Sequence, residues 1–221
     1  MTAIKDTLIT DSIKTIKKRA ETLFTSNQAS HGWDHTLRVF RLCEKIGTAE
    51  GADMEVLLIA ACLHDIGRCH QDASKGFICH AQRGAEMAEP MLRDISLSEK
   101  RKKNVLHCIR AHRFRGDHLP ETREAEVLFD ADKLDAIGAV GVARAYLFAG
   151  EVGAKLHNTL KDVAKTKPYS QEDTGYREFK VKLERIKSRM LTDEGKRLAQ
   201  GRHAFMVAFF ERFLKEIEGA V

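Results

Sequence analysis

Aromatic residues are scarce in this 221-residue chain, 7% of the total with one tryptophan, so wide aromatic platforms for stacking bases are not expected. The five cysteines (Cys43, Cys62, Cys69, Cys79 and Cys108) form an odd set without CxxC spacing, which gives no disulfide framework and suits a reduced, cytoplasmic protein. The longest uninterrupted apolar run, Val56 to Leu63, is far too short to span a bilayer. The opening MTAIKDTLIT lacks the basic-then-apolar profile of a signal peptide. Prolines number three, no stretch alternates with period two, and neither a repeat nor a low-complexity tract is visible. Charge of one sign does not dominate: 37 Lys+Arg stand against 32 Asp+Glu, a formal +5 with pI about 8.9. That balance favours anionic ligands and falls short of a dedicated nucleic-acid binder.

What is present is helical periodicity and histidine, of which there are 10. Ile4, Leu8, Ile13, Ile16, Ala20 and Leu23 recur as one helix face requires. The pattern predicts further helices over Trp33–Glu50, with Leu37, Phe40 and Ile46 inward, and from an Asp53 cap through MEVLLIAACLHDIG to Gly67. Apolar on nearly every side, the latter should be the central helix. Others are expected at His80–Asp94, from a Ser98 cap to Arg113, at Thr122–Ala139 with a continuation over Val140–Ala149, at Tyr176–Met190, and from a Thr192 cap to Glu218. Polar and without period, Gly150 to Gly175 reads as a long loop or lid in which Lys155, His157, Lys161 and Tyr169 could close over a ligand. The fold class is therefore all-α, one domain over residues 1–221, with a core at about 30–150, the loop at about 150–175 and C-terminal helices at about 176–218.

The chemistry lies where ionisable residues interrupt apolar faces. His64 and Asp65 directly follow the apolar run, and a buried carboxylate needs compensation. Neighbouring helical residues point about 100° apart, so sharing one ligand needs the slack of a helix end, which Gly67 could supply; taken alone, a solvated helix C-terminus explains the pair equally well. In EVLFDADKLDAIGAVG an inward stripe of Leu128, Asp132, Asp135 and Ala139 carries two carboxylates, which a metal explains better than pairing with a neighbouring Arg or Lys. His35 opens the Trp33 helix beside His31 and Asp34; singly it reads as a structural hydrogen-bonder. Taken with His64, Asp65 and Asp132, it completes two imidazoles and two carboxylates from three helices. That donor set suits one divalent ion of octahedral habit (Mn, Fe, Co, Ni or Mg), leaves positions for water and a substrate oxygen, and differs from a closed structural zinc site.

The order His35, His64-Asp65, Asp132 resembles the HD-domain metal-dependent phosphohydrolase superfamily. The blocks HGWDHTLRVFRLCEKI, EGADMEVLLIAACLHDIGR, CHAQRGAEMAEPML, DADKLDAIGAVGVARAY and LTDEGKRLAQGRHAFMVAFFERF are similar to its small stand-alone bacterial members, whose relatives hydrolyse nucleoside triphosphates. The resemblance implies an HD-type helical bundle with additional C-terminal helices. It implies His35, His64, Asp65 and Asp132 as metal ligands, choosing Asp132 over Asp130 and Asp135 through the element Ala131-Asp132-Lys133-Leu134. His80 and His112 stand where larger branches place further ligands. Arg113 replaces a second consecutive histidine and the Gly-Tyr-Pro signature is missing, so one ion is favoured with both histidines lining the pocket. A monophosphatase branch carries an acidic residue where this chain has Arg68.

The expected activity is hydrolysis of a phosphoanhydride in a nucleoside triphosphate or related small nucleotide by a metal-activated water. Asp65, Arg68, Lys133 and Asp135 are the catalytic candidates; Arg38, Arg68, His80, His112, Lys133 and Arg144 are the substrate-binding ones. Phosphodiester cleavage or phosphatase action on the same centre, a nucleotide sensor without turnover, and weak nucleic-acid binding are the alternatives. Cys69-His70 with Cys79-His80 matches no common zinc spacing, SEKRKKN reads as a solvated first turn, and Arg113-Phe114-Arg115 as a loop. Ala204 to Phe213 suits core in preference to a dimer seam, so a homodimer stays open. His31, His70, His107, His118, His157 and His203 carry no assigned chemistry.

Overall fold

A computed structural model describes residues 10–24, 32–113, 118–158 and 163–221, all helical or loop with no strand among them. Ile4, Leu8, His31, Phe114-Arg115 and Lys161 lie outside the described residues. The chain divides between Asp132 and Lys133 into two compact units, where the sequence reads as one domain.

In the first unit the helices are α1 (Asp11–Glu21), α2 (Trp33–Glu50), α3 (Met54–Leu63), α4 (Arg68–Ala73), α5 (His80–Arg93), α6 (Glu99–Ala111) and most of α7 (Arg123–Leu134). Every residue from Val56 to Leu63 is buried, and α3 packs against α1, α2, α5 and α6. It is thus the central helix its unbroken apolar run requires. Its start is fixed by Asp53, whose carboxylate accepts from the Val56 amide and takes two bonds from Arg101, at 2.6 and 2.7 Å. Arg101 also reaches Glu55 at 2.8 Å, so the basic first turn of α6 is bound here in part instead of being wholly solvated. The third helix ends at Leu63, earlier than Gly67, because residues 64–67 form a turn before the short α4, which no periodicity announced.

The second unit holds α8 (Gly138–Glu151), a 3-10 turn at Val163–Lys165, α9 (Gly175–Val181), a 3-10 stretch at Leu183–Arg189, and α10 (Asp193–Ile217). The expected continuity from Thr122 into Val140–Ala149 fails: α7 stops at Leu134, Ile137 is extended, and Gly138 takes φ +81°, a conformation that costs glycine little. Asp135 therefore leaves the helix that carries Asp132, and Ala139, expected inward, is exposed. The expected Tyr176–Met190 helix breaks at Lys182, where φ is −137°. Beyond the break, buried Leu183 and Ile186 stand three apart, the period of a 3-10 helix. Met206 and Phe210 are buried as the core reading of α10 requires, while Phe205 is half exposed.

The 150–175 segment is tied down where it is described. Lys155 pairs with Glu172, Asn158 donates to the Glu172 carbonyl at 2.9 Å, and Arg177 holds Asp173 at 2.8 Å and the Thr166 carbonyl at 2.9 Å. Lys155 thus has a local carboxylate partner. No helix among the described residues is long and apolar enough to cross a membrane.

The Asp53 cap gives a stability test. Asp53→Ala should lower the unfolding free energy by about 1–2 kcal/mol, and Asp53→Asn, which keeps a capping oxygen, by less, in urea denaturation. Equal losses would show that the ion pair with Arg101, not the cap, carries the effect.

Candidate metal centre

Four helix ends bring histidines together inside the first unit. His35 is the third residue of α2, His64 caps the C-terminus of α3, His80 is the first residue of α5, and His112 caps the C-terminus of α6. All four are almost completely buried, as is Asp65 in the turn after His64. Asp132, on the last turn of α7, is 20% exposed. Gly67 makes the approach of α5 feasible. A Cβ there would stand 2.3 Å from the His80 carbonyl oxygen and 2.6 Å from the Gly84 nitrogen, so any larger residue would push that helix, and His80 with it, off the turn.

The Nε2 atoms meet in two pairs. His35 and His64 lie 3.3 Å apart, with Asp132 Oδ1 3.3 Å from His35. His80 and His112 lie 3.1 Å apart, with Asp65 Oδ1 at 3.4 and 3.7 Å. The other Asp65 oxygen, Oδ2, faces the first pair at 3.7 Å from His35 and 4.0 Å from His64. One carboxylate therefore addresses both pairs, and two three-donor sets result, His35-His64-Asp132 and Asp65-His80-His112.

Hydrogen bonds on the far side of the rings fix which nitrogen faces inward. His64 Nδ1 donates to the Ala61 carbonyl at 2.8 Å and His112 Nδ1 to the Ile109 carbonyl at 2.7 Å. His80 Nδ1 donates to Gln71 Oε1 at 2.8 Å. With Nδ1 protonated, a neutral imidazole presents a bare lone pair at Nε2. Burial favours the neutral form at two of these rings: it drives His64 down to about 4 and His80 to about 2, against a partial lift from the Asp65 charge. With both rings of the second set neutral, two lone pairs face each other at 3.1 Å, and a cation would convert that repulsion into coordination. Two nitrogens bound at right angles, each about 2.1 Å from an ion, are about 3 Å apart, so both pairs fit a divalent cation.

The sequence-derived ligands His35, His64 and Asp132 are thus assembled, with Asp65 beside them. His80 and His112, expected to line the pocket, join Asp65 in a three-donor set of their own. Arg68 reaches to 3.7 Å from Asp65 Oδ2. Arg38 sits one turn past His35, partly exposed. Lys133, Asp135 and Arg144 belong to the second unit, where Lys133 is buried and Asp135 pairs with Arg144 at 2.9 Å. Gln71 went unnoticed in the sequence because a glutamine on a short polar helix carries no signal of its own. Asp130, passed over in favour of Asp132, is completely buried in α7.

Comparison with known proteins agrees with this arrangement. The HD domain family model matches residues 32–137, which include all six donors. The protein YpgQ of Bacillus subtilis is 31% identical over 208 residues, 92% of this chain and 93% of YpgQ. The crystal structure of YpgQ in complex with ADP superposes with a TM-score of 0.74 at 29% identity, covering 95% of this chain and 96% of that one. An HD-superfamily hydrolase from Bacillus thuringiensis gives 0.72 at 26% identity, covering 94% and 97%.

The neutral rings set a pH dependence. Unfolded, His64 and His80 take up protons near pH 6.5; folded, they do so only near 4 and 2. Between those values the unfolded chain binds more protons, so stability falls as pH falls. The urea midpoint of chelator-treated protein should decline from about pH 6.5 towards about pH 4, and His64→Asn should flatten that decline. An unchanged slope in the variant would contradict the assignment.

Proposed function

Since the chain belongs to the HD-domain superfamily of hydrolases, we propose that it hydrolyses a phosphoanhydride bond of a nucleoside triphosphate or related nucleotide with a divalent metal ion. The observation that carries this reading is the convergence of four buried histidine Nε2 atoms on two carboxylates, Asp65 and Asp132. A cation would bind the clustered Nε2 atoms and compensate the buried Asp65 carboxylate at the same time. His35, His64 and Asp132, with Asp65 alongside, would hold the ion; their mixture of imidazole and carboxylate suits Mn, Fe, Co, Ni or Mg. When bound, such an ion polarises a phosphoryl oxygen and lowers the pKa of its water towards neutrality.

The chain's own residues supply the rest. Asp65 keeps the two histidine pairs in register through its two oxygens. Arg68, 17% exposed at the start of α4, adds positive charge beside that carboxylate and is the foremost candidate for a phosphate contact. Arg38, on the α2 face one turn from His35, and Lys133, next to Asp132 along the chain, are the further candidates. Asp135 and Arg144 neutralise each other, so their role in this reading is to fix the segment after α7. Burial around the cluster excludes bulk water and strengthens every charge interaction there. The complex of YpgQ with ADP supports a nucleotide as the ligand class. A second reading, two ions, is favoured by the 3.1 Å approach of His80 and His112.

Product analysis tests the proposal. Protein supplied with Mn, Co, Ni or Mg and a panel of nucleoside mono-, di- and triphosphates should release pyrophosphate or phosphate from a triphosphate. Asp132→Ala and His64→Ala should lose both retained metal and hydrolysis while circular dichroism keeps its helical signal. Full turnover in either variant refutes the site. Bound nucleotide without turnover across the metal panel would make the protein a sensor instead.

A further inference from the structure

The two kinds of helix end in the cluster solve different problems. A histidine at a helix C-terminus finds an acceptor within its own helix, because the last carbonyls have no intrahelical partner. His64 uses Ala61 and His112 uses Ile109, each three residues back. A histidine at a helix N-terminus finds only amide donors around it. His80 is such a residue, so an acceptor for its Nδ1–H must come from elsewhere.

Gln71 supplies it. Its Oε1 accepts from His80 Nδ1 at 2.8 Å and lies 3.5 Å from the His80 backbone nitrogen, which points the carboxamide oxygen, not its NH2, at the histidine. Cys79, the cap residue of α5, makes no side-chain capping bond, so the same oxygen serves the start of the helix. Gln71 is itself anchored. Its carbonyl accepts from the Gly76 amide and from Ser74 Oγ, both at 2.9 Å, which closes the turn after α4. It stands three residues after Arg68, on the same face of that helix.

We propose that Gln71 is a positioning residue that holds His80 as its Nδ1–H tautomer and so leaves the Nε2 lone pair available to an ion shared with His112 and Asp65. The inference rests on the metal-binding reading of the cluster. Without Gln71 the His80 proton is free to move to Nε2, where it would be shared with the His112 lone pair 3.1 Å away. The second donor set would then close on itself with a hydrogen bond and lose its ion, while His35, His64 and Asp132 would be undisturbed. An amide also differs from a carboxylate in leaving the imidazole neutral, so the second set stays a weaker ligand field than a carboxylate–histidine pair would make.

Imidazole 15N NMR on the metal-free full-length chain, with Mn(II) titration and metal analysis in parallel, provides the test. Wild-type His80 should show Nδ1 protonated, and the chain should take two ions. In Gln71→Leu the His80 pattern should shift towards the Nε2–H tautomer, and affinity for the second ion should fall about 10- to 100-fold with the first unchanged. Gln71→Glu, which restores an acceptor, should restore both readouts. A Gln71→Leu protein with the wild-type His80 pattern and second-ion affinity overturns the proposal. So does a helical Gln71→Glu protein that recovers neither, since the effect would then come from loop packing. A wild-type chain that takes one ion overturns the second donor set alone. The NMR result, read without metal or substrate, still decides the role of Gln71, and hydrolysis is decided separately by the product panel.

Discussion

The Asp65 carboxylate, buried between two pairs of histidines, is the constraint around which the first unit is arranged. A carboxylate taken out of water is costly unless charge or hydrogen bonds compensate it, and here four imidazoles and Arg68 stand within 4.0 Å of it. His64 and His80 do not neutralise it by protonation, because the same burial that desolvates Asp65 favours their neutral form. A cation from outside the chain would resolve that conflict, compensating Asp65 and coordinating the close Nε2 atoms.

The architecture follows from this need. The cluster takes two N-terminal and two C-terminal histidines around the end of α3. The full burial of α3 fixes where that end lies. The turn at residues 64–67 then projects His64 and Asp65 side by side, which a continuing helix would not permit. Gly67 lets α5 come within backbone contact of that turn, and α4 swings Gln71 back to meet it. Hydrophobic burial thus sets the frame, and the polar groups at its edge set the chemistry.

Much of this was legible in the sequence. The unbroken run Val56–Leu63 marked the central helix, and the caps Asp53, Ser98, Thr174 or Thr192 mark real helix starts, three of them expected from the sequence and Thr174 found only in the structure. The proposed ligands His35, His64 and Asp132 were legible in part because polar residues interrupt otherwise apolar faces, while the choice of Asp132 over Asp130 and Asp135 came from the family resemblance. The pairing of His80 and His112 with Asp65 was not, since it depends on how α5 and α6 pack and not on spacing along the chain. Gly138 and Lys182 broke helices that hydrophobic period alone would have run through, because period reports which face is buried and says nothing of a backbone reversal. The ion pair of Asp135 with Arg144 likewise needed the end of α7 at Leu134.

The central claim is that the first unit holds metal on histidine Nε2 atoms. Anomalous diffraction at the cobalt edge, from crystals of protein loaded with Co(II), tests it most directly. The account requires a peak about 2.0–2.2 Å from the Nε2 atoms of His35 and His64 and from an Asp132 oxygen. Anomalous density found only elsewhere, or none at these residues at full loading, would contradict it.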